Sequence, residues 1–163
     1  MDTEPLDQTR SLPPLLQSSL LTEQTRTVIS QHGYEGSWPS RIRVLIEPTA
    51  EMIELARQVL DDYRELNRPL AIEDTALRLG EMRAVLKAKG FGQIDTAVSI
   101  GVLCRELEHY PADILVWALD FWQRTEMWFP APSDLHNLIE RRWGGRRCIL
   151  EALERLVAKG EPA

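Results

Sequence analysis

Cysteine and long apolar runs are both scarce in this sequence. The two cysteines, Cys104 and Cys148, lie 44 positions apart, so we expect no disulfide framework and a reducing compartment. The longest unbroken apolar run, Ile114 to Leu119, is too short to cross a bilayer. The first residues, MDTEPLDQTR, are acidic and polar and do not resemble a secretory signal. These features predict a cytoplasmic protein with no membrane partner.

The usual catalytic motifs are missing as well. The sequence contains no phosphate-binding loop, no H-E-x-x-H, no G-x-S-x-G, no C-x-x-C and no G-x-G-x-x-G. The residues that could ligate zinc are Cys104, His109, His136 and Cys148, but their spacing matches no usual ligand pair. We therefore expect no enzyme activity, no catalytic residues, no cofactor and no metal site.

The charge of the chain is modestly negative and unevenly distributed. A net charge of −6 over 163 residues argues against a protein that coats nucleic acid by charge alone. Residues 1–123 carry a net charge of −7, whereas residues 124–163 carry +1. An anionic partner would therefore meet the C-terminal part of the chain first.

The hydrophobic pattern predicts an all-α fold, a small orthogonal bundle of about six helices in residues 48–160. Thr49, Asp95 and Ser133 are predicted helix caps, and Pro111 a first helical residue. Gly144-Gly145 is expected to separate a fifth helix from a last one at about 146–159. Gly101, on the apolar side of its helix, predicts a close helix crossing.

Residues 1–47 are predicted to form a flexible or extended N-terminal arm. Residues 41–47 alternate apolar and charged side chains as a strand does, but no second convincing strand is found to pair with them. Segment 12–21 contains a proline pair and five leucines, among them Leu15, Leu16 and Leu20. A tail with several large apolar residues is a plausible short binding segment, or one that packs loosely on its own domain.

The most distinctive stretch is Tyr110 to Ile139, which holds six of the eleven aromatic residues. Three of its rings are expected to fill the core, namely Trp117, Phe121 and Trp122. Trp128 and Phe129 instead lie in a segment before two prolines, which must be extended. These two rings are the more favoured candidates for an interaction surface.

A short series of motifs in this stretch resembles small replication proteins of phages and prophages, of the helicase-loader type. The motifs are Tyr110-Pro111, Trp122, Phe129-Pro130 and Asp134-Leu135, within a match of about residues 95–139. The resemblance implies a protein without an ATPase loop that binds the hexameric replicative helicase, delivers it to origin DNA and holds it inactive meanwhile. The flexible part of this chain is expected at the N-terminus, unlike the family pattern, so the residues that contact the helicase remain unassigned.

The second motif is a basic cluster, Arg141-Arg142-Trp143-Gly144-Gly145-Arg146-Arg147. Its four guanidinium groups could contact phosphates weakly, and Trp143 could stack on a base. The same cluster fits a helix-turn-helix over residues 133–159. It equally fits a basic helix end that complements the helix dipole and the neighbouring glutamates.

The sequence thus predicts a non-enzymatic phage- or prophage-type replication accessory protein of a bacterial or phage-infected cytoplasm. Its partners would be the replicative helicase and, weakly, DNA contacted by Arg141, Arg142, Trp143, Arg146 and Arg147. Its protein-binding residues would be Tyr110, Trp128 and Phe129, with Leu15, Leu16 and Leu20 on a detachable arm. The alternatives are a small helix-turn-helix transcriptional regulator, and a structural or adaptor protein of a mobile element.

Overall fold

The computed structural model describes residues 12–29, 35–44, 47–87 and 96–160, and side chains at 12–16, 47–87 and 97–160. The elements in this part of the chain are α1 (Pro14–Ser19), β1 (Leu20–Ile29), β2 (Glu35–Val44), α2 (Ala50–Leu66), α3 (Ile72–Val85), α4 (Thr96–Leu107), α5 (Ala112–Thr125) and α6 (Pro132–Lys159). The predicted all-α class is confirmed, with six helices in the described ranges. No helix in these ranges is long and apolar enough to span a membrane.

Of the predicted helix starts, the cap of α2 is confirmed. The Thr49 hydroxyl accepts a hydrogen bond from the backbone N–H of Met52 at 3.2 Å, which caps α2. Pro111 is the N-cap of α5 and not, as predicted, its first helical residue, because its ψ of 137° is extended; Asp113 lies in the first turn as predicted. Asp95 lies outside the described residues, so its predicted cap is not seen.

The chain forms two compact units. Unit 1 takes the described residues up to Leu66 and those from Arg141 onward, and unit 2 takes Asn67–Glu140. The division predicted at residue 47 was drawn from composition, whereas these units follow contacts. The first part of α6 belongs to unit 2 and the remainder to unit 1.

The core of unit 1 joins α1, α2 and the second part of α6. Its buried residues are Leu12, Leu16, Ala56, Leu60, Tyr63, Cys148, Ile149, Ala152, Leu153 and Leu156. Leu16, predicted to lie on a detachable arm, is fully buried in this cluster. That prediction is wrong for Leu16, because Pro14 begins a short helix that turns this side chain toward α2.

The strand prediction needs one correction. Residues 41–44 do lie in a strand, but β2 has a partner: β1 pairs antiparallel with it, Leu20 opposite Val44 and Ile29 opposite Glu35. We missed β1 because its threonines favour a strand without giving an apolar alternation. Pro39 of β2 pairs with Thr25, next to the irregular register at Gln24, a place where a strand tolerates proline.

The predicted break at Gly144-Gly145 is wrong, since α6 runs without interruption from Pro132 to Lys159. Both glycines are buried, as are Cys148 and Ala152 on the same side of the helix. Two glycines cost a helix about 2 kcal/mol relative to alanine. The apolar face that this helix buries in unit 1 is large enough to offset that cost.

Gly101 does not mark a close helix crossing. A Cβ built on it would meet no described atom within 4 Å, so nothing in this part of the chain requires a glycine there. The buried side of α4 lies instead at Leu103, Cys104 and Leu107.

Candidate functional site

The segment between α5 and α6 is an ordered loop attached to the end of α3. Leu86 and Glu126, the residues that follow α3 and α5, are both extended. The segments that follow these two helices are hydrogen-bonded to each other. The N–H of Lys87 donates to the carbonyl of Met127 at 3.0 Å, and the N–H of Phe129 donates to the carbonyl of Lys87 at 2.8 Å. This parallel bridge fixes the backbone of Met127, Trp128 and Phe129.

Two side chains of the predicted motif series hold the same loop. The indole N–H of Trp122, a buried residue of α5, donates to the carbonyl of Trp128 at 2.9 Å. A carboxylate oxygen of Asp134 accepts the N–H of Ala131 at 3.0 Å, the reciprocal half of a capping box at the start of α6. The loop is therefore pre-organised by hydrogen bonds from both flanking helices.

This loop presents apolar side chains together with two cations. Met127 is 60% exposed and Trp128 is 37% exposed, while Phe129 is half-buried. The ammonium of Lys87 lies 6.0 Å from the centroid of the Trp128 ring, and the guanidinium carbon of Arg83 lies 5.8 Å from that of Phe129. We call these five residues the Trp128 surface.

Tyr110 was predicted to contact a partner at the surface. This prediction is wrong, because Tyr110 is buried in unit 2. Its hydroxyl is hydrogen-bonded to Nδ1 of His136 at 2.5 Å and donates to Glu140 at 3.5 Å. The other ring nitrogen of His136, Nε2, lies 3.6 Å from a carboxylate oxygen of Glu106. Tyr110 therefore holds the turn before α5 against α6 and is not available to a partner.

The basic cluster lies on one continuous helix, so its arginines point in different directions. Arg142 and Arg146 are four residues apart and share one side of α6, whereas Arg147 shares another side with Trp143. Arg141 is on the side of Cys148, which is buried. The structure does not bring the four guanidinium groups together, and the helix-turn-helix is ruled out.

The contacts of Arg146 and Arg147 lie within unit 1. Arg146 donates to the carbonyl of Leu66 at 2.9 Å and so caps the end of α2. Arg147 lies 5.0 Å from the Trp143 ring centroid and 3.9 Å from Glu151. The contact with Glu151 fits the alternative in which the cluster complements neighbouring glutamates, but residues 141–147 lie in the middle of α6 and are not the helix end that this alternative expected.

The remaining predicted site residues lie in unit 1. Leu15 is 38% exposed and Leu16 is buried, so one of the two is available at the surface. Leu20 begins β1, and its side chain is outside the described set. The arm is thus represented by Leu15 alone among the described side chains.

The described residues contain no group of three His, Cys, Asp or Glu side chains arranged to hold a metal ion. Cys104 is buried in unit 2, and this burial raises the pKa of its thiol. Burial therefore favours the protonated thiol over the thiolate.

Sequence reasoning found Trp128 and Phe129 but missed the rest of the Trp128 surface. Met127 was not singled out, although its place directly before Trp128-Phe129-Pro130 was a usable signal. Lys87 and Arg83 had no such signal, because their proximity depends on a backbone bridge across about 40 positions of sequence. Comparisons with protein-family models, curated proteins and solved structures found no match.

Proposed function

We propose that this chain is a non-enzymatic, cytoplasmic protein-binding module that acts as a replication accessory protein of phage or prophage type. In this proposal it binds the replicative helicase and assists or restrains its loading on DNA. The Trp128 surface makes the protein contact. The mechanism is binding and conformational restraint, with no bond chemistry.

One observation carries the proposal: Trp122, Phe129-Pro130 and Asp134, three parts of the resemblance, form or fix one exposed loop, whereas Tyr110-Pro111 and Leu135 are buried outside it. Trp122 and Asp134 fix the loop by hydrogen bonds, and Phe129-Pro130 forms part of it. Its exposed members are Met127 and Trp128. A rigid loop that exposes a tryptophan and a methionine is typical of a protein-binding surface, since these residue types are enriched there.

Weak contact with DNA remains the smaller part of the proposal. Arg142 is exposed on α6, and Arg146 and Arg147 are partly buried and contact a helix end or neighbouring side chains. Six to ten phosphate contacts are typical of tight DNA binders, so this cluster supports only weak binding. Since α6 is uninterrupted, no observation favours the transcriptional regulator.

The test is affinity purification of the tagged full chain from bacterial host lysate, with nuclease treatment and identification by mass spectrometry. Wild type is compared with the double variant Met127→Ala/Trp128→Ala. The matched control is Leu77→Ala, which changes an exposed residue of α3. Leu77 lies about 12 Å along the helix from Val85, the end of α3 that precedes Lys87. Circular dichroism confirms that each variant is folded.

We expect wild type and Leu77→Ala to recover the replicative helicase, and the double variant to lose it. Recovery of the helicase by all three proteins would move the contact away from the Trp128 surface. Recovery of nucleic acid alone, or of the bait alone, would contradict the helicase proposal. The bait alone would favour a self-assembling structural protein.

A further inference from the structure

The two cations of the Trp128 surface differ from five of the arginines in the described ranges. The arginines at 57, 64, 78, 124 and 147 each lie within 4.0 Å of a carboxylate. Arg83 and Lys87 have no such partner in the described ranges and lie instead near the rings of Phe129 and Trp128. This surface therefore presents positive charge that its own described neighbours do not neutralise, in a chain of net charge −6.

The apolar part of the surface suits a side chain inserted from outside. Met127 is unbranched and polarizable, and Trp128 offers a large ring face. Because the loop backbone is fixed by the bridge to Lys87 and by Trp122, binding would order few additional groups. Pre-organisation of this kind improves affinity at a given contact area.

We infer that the Trp128 surface binds an acidic peptide segment, one that places a large apolar side chain beside Asp or Glu residues. The apolar side chain packs on Met127 and Trp128, and the carboxylates approach Lys87 and Arg83. This inference rests on the proposed function for its use of the same loop, and it adds the chemistry of the partner segment.

Charge favours a protein segment over a nucleic acid strand. Two cations neutralise about two phosphates, which gives weak binding at physiological salt. The net negative charge of the chain also repels a long polyanion more strongly than a short segment with a few carboxylates. A short acidic segment needs only local complementarity, which steers association and sets specificity.

The experiment selects 12-residue peptides from a random display library against the immobilised full chain and measures their affinities by fluorescence anisotropy. Variants are Trp128→Ala, Trp128→Phe, Lys87→Glu and the control Leu77→Ala. The side-chain changes at position 128 leave the carbonyl that accepts from Trp122 in place. Should Lys87→Glu fail to fold, Lys87→Gln replaces it.

We expect selected peptides enriched in Asp or Glu next to an aromatic or large aliphatic residue. Their affinity falls about 30-fold in Trp128→Ala and about 5- to 10-fold in Lys87→Glu. It is largely kept in Trp128→Phe and unchanged in Leu77→Ala. Replacing the peptide's Glu by Lys restores binding to Lys87→Glu.

Three results would overturn the inference: no peptides are selected, the peptides have no acidic bias, or Lys87→Glu binds them as wild type does. A fluorescein-labelled oligothymidine that binds wild type and not Trp128→Ala would make this a single-strand binding surface instead. The assay contains no helicase. If the wild-type protein binds acidic peptides but recovers no helicase in the affinity purification, only the identity of the partner is rejected.

Discussion

At the scale of single residues, Gly80 and Gly160 differ in the space around them, and this difference predicts opposite effects of an alanine substitution. A Cβ on Gly80, in the middle of α3, would meet nothing within 4 Å. A Cβ on Gly160, just after α6, would lie 2.5 Å from Cγ2 of Ile53. The first glycine weakens its helix without a packing reason, whereas the second allows a close approach.

We expect Gly80→Ala to raise the free energy of unfolding by about 0.4–1 kcal/mol, because alanine restricts the unfolded chain and favours helix. Gly160→Ala should lower it by about 1–3 kcal/mol, because Ile53 must move. Urea denaturation of both variants beside wild type is the measurement. A destabilised Gly80→Ala protein would mean that another part of the molecule contacts α3 at this point.

Cys104 gives a pH-dependent prediction. Its pKa is raised in the folded protein by burial, so the thiol contributes stability below the pKa of the unfolded state. That contribution is lost as the pH rises through the folded-state pKa. We expect wild type to lose more unfolding free energy between pH 7 and pH 10 than Cys104→Ala does. The unfolding free energy of both proteins is measured by urea denaturation at each pH. The same pH dependence in the two proteins would contradict the contribution of Cys104.

At the scale of elements, the start of α6 depends on Asp134 rather than on the serine that sequence reasoning chose as its cap. Pro132 is the first helical residue, which makes Ala131 the N-cap and Asp134 the third residue of the helix. The carboxylate accepts the N–H of Ala131 and lies near the positive end of the helix dipole. Ser133 is exposed.

Asp134→Ala is therefore expected to lower the free energy of unfolding by about 0.5–2 kcal/mol, the range found for loss of a cap. Ser133→Ala is the matched control and should change it by less than about 0.5 kcal/mol. Thermal and urea denaturation of the two variants separate the cases. If Ser133→Ala lowers the free energy of unfolding as much as Asp134→Ala or more, Ser133 is the capping residue.

The elements also show which information the sequence carries locally. The caps and periodicity that predict α2 and α5 lie within the helices themselves, so those two were predictable. The continuity of α6 through Gly144-Gly145 was not, because burial of a face in unit 1 overrides the local preference of glycine. The candidate site shows the same difference between local and tertiary information. Trp128 could be predicted because prolines follow it closely in the sequence, whereas Lys87 could not, because a tertiary backbone bridge places it beside Trp128.

At the scale of the whole molecule, the N-terminal segment and the C-terminal helix share one core. Leu12 and Leu16 belong to the same buried cluster as Leu153 and Leu156, which lie about 140 positions later. Contacts of such separation make the stability of unit 1 depend on both ends of the described chain. An arm that detaches freely would have no such effect.

Leu16→Ala tests this dependence, with Leu15→Ala as its control. Leu16 is fully buried, so its truncation should lower the free energy of unfolding by about 2–5 kcal/mol through lost burial and a residual cavity. Leu15 is 38% exposed and its truncation should cost less than about 1 kcal/mol. Urea denaturation, followed by circular dichroism at 222 nm so that all helices report, measures both. If the two variants unfold alike and close to wild type, the segment does not contribute to the core, and Leu15 and Leu16 return to the list of residues that a partner could bind.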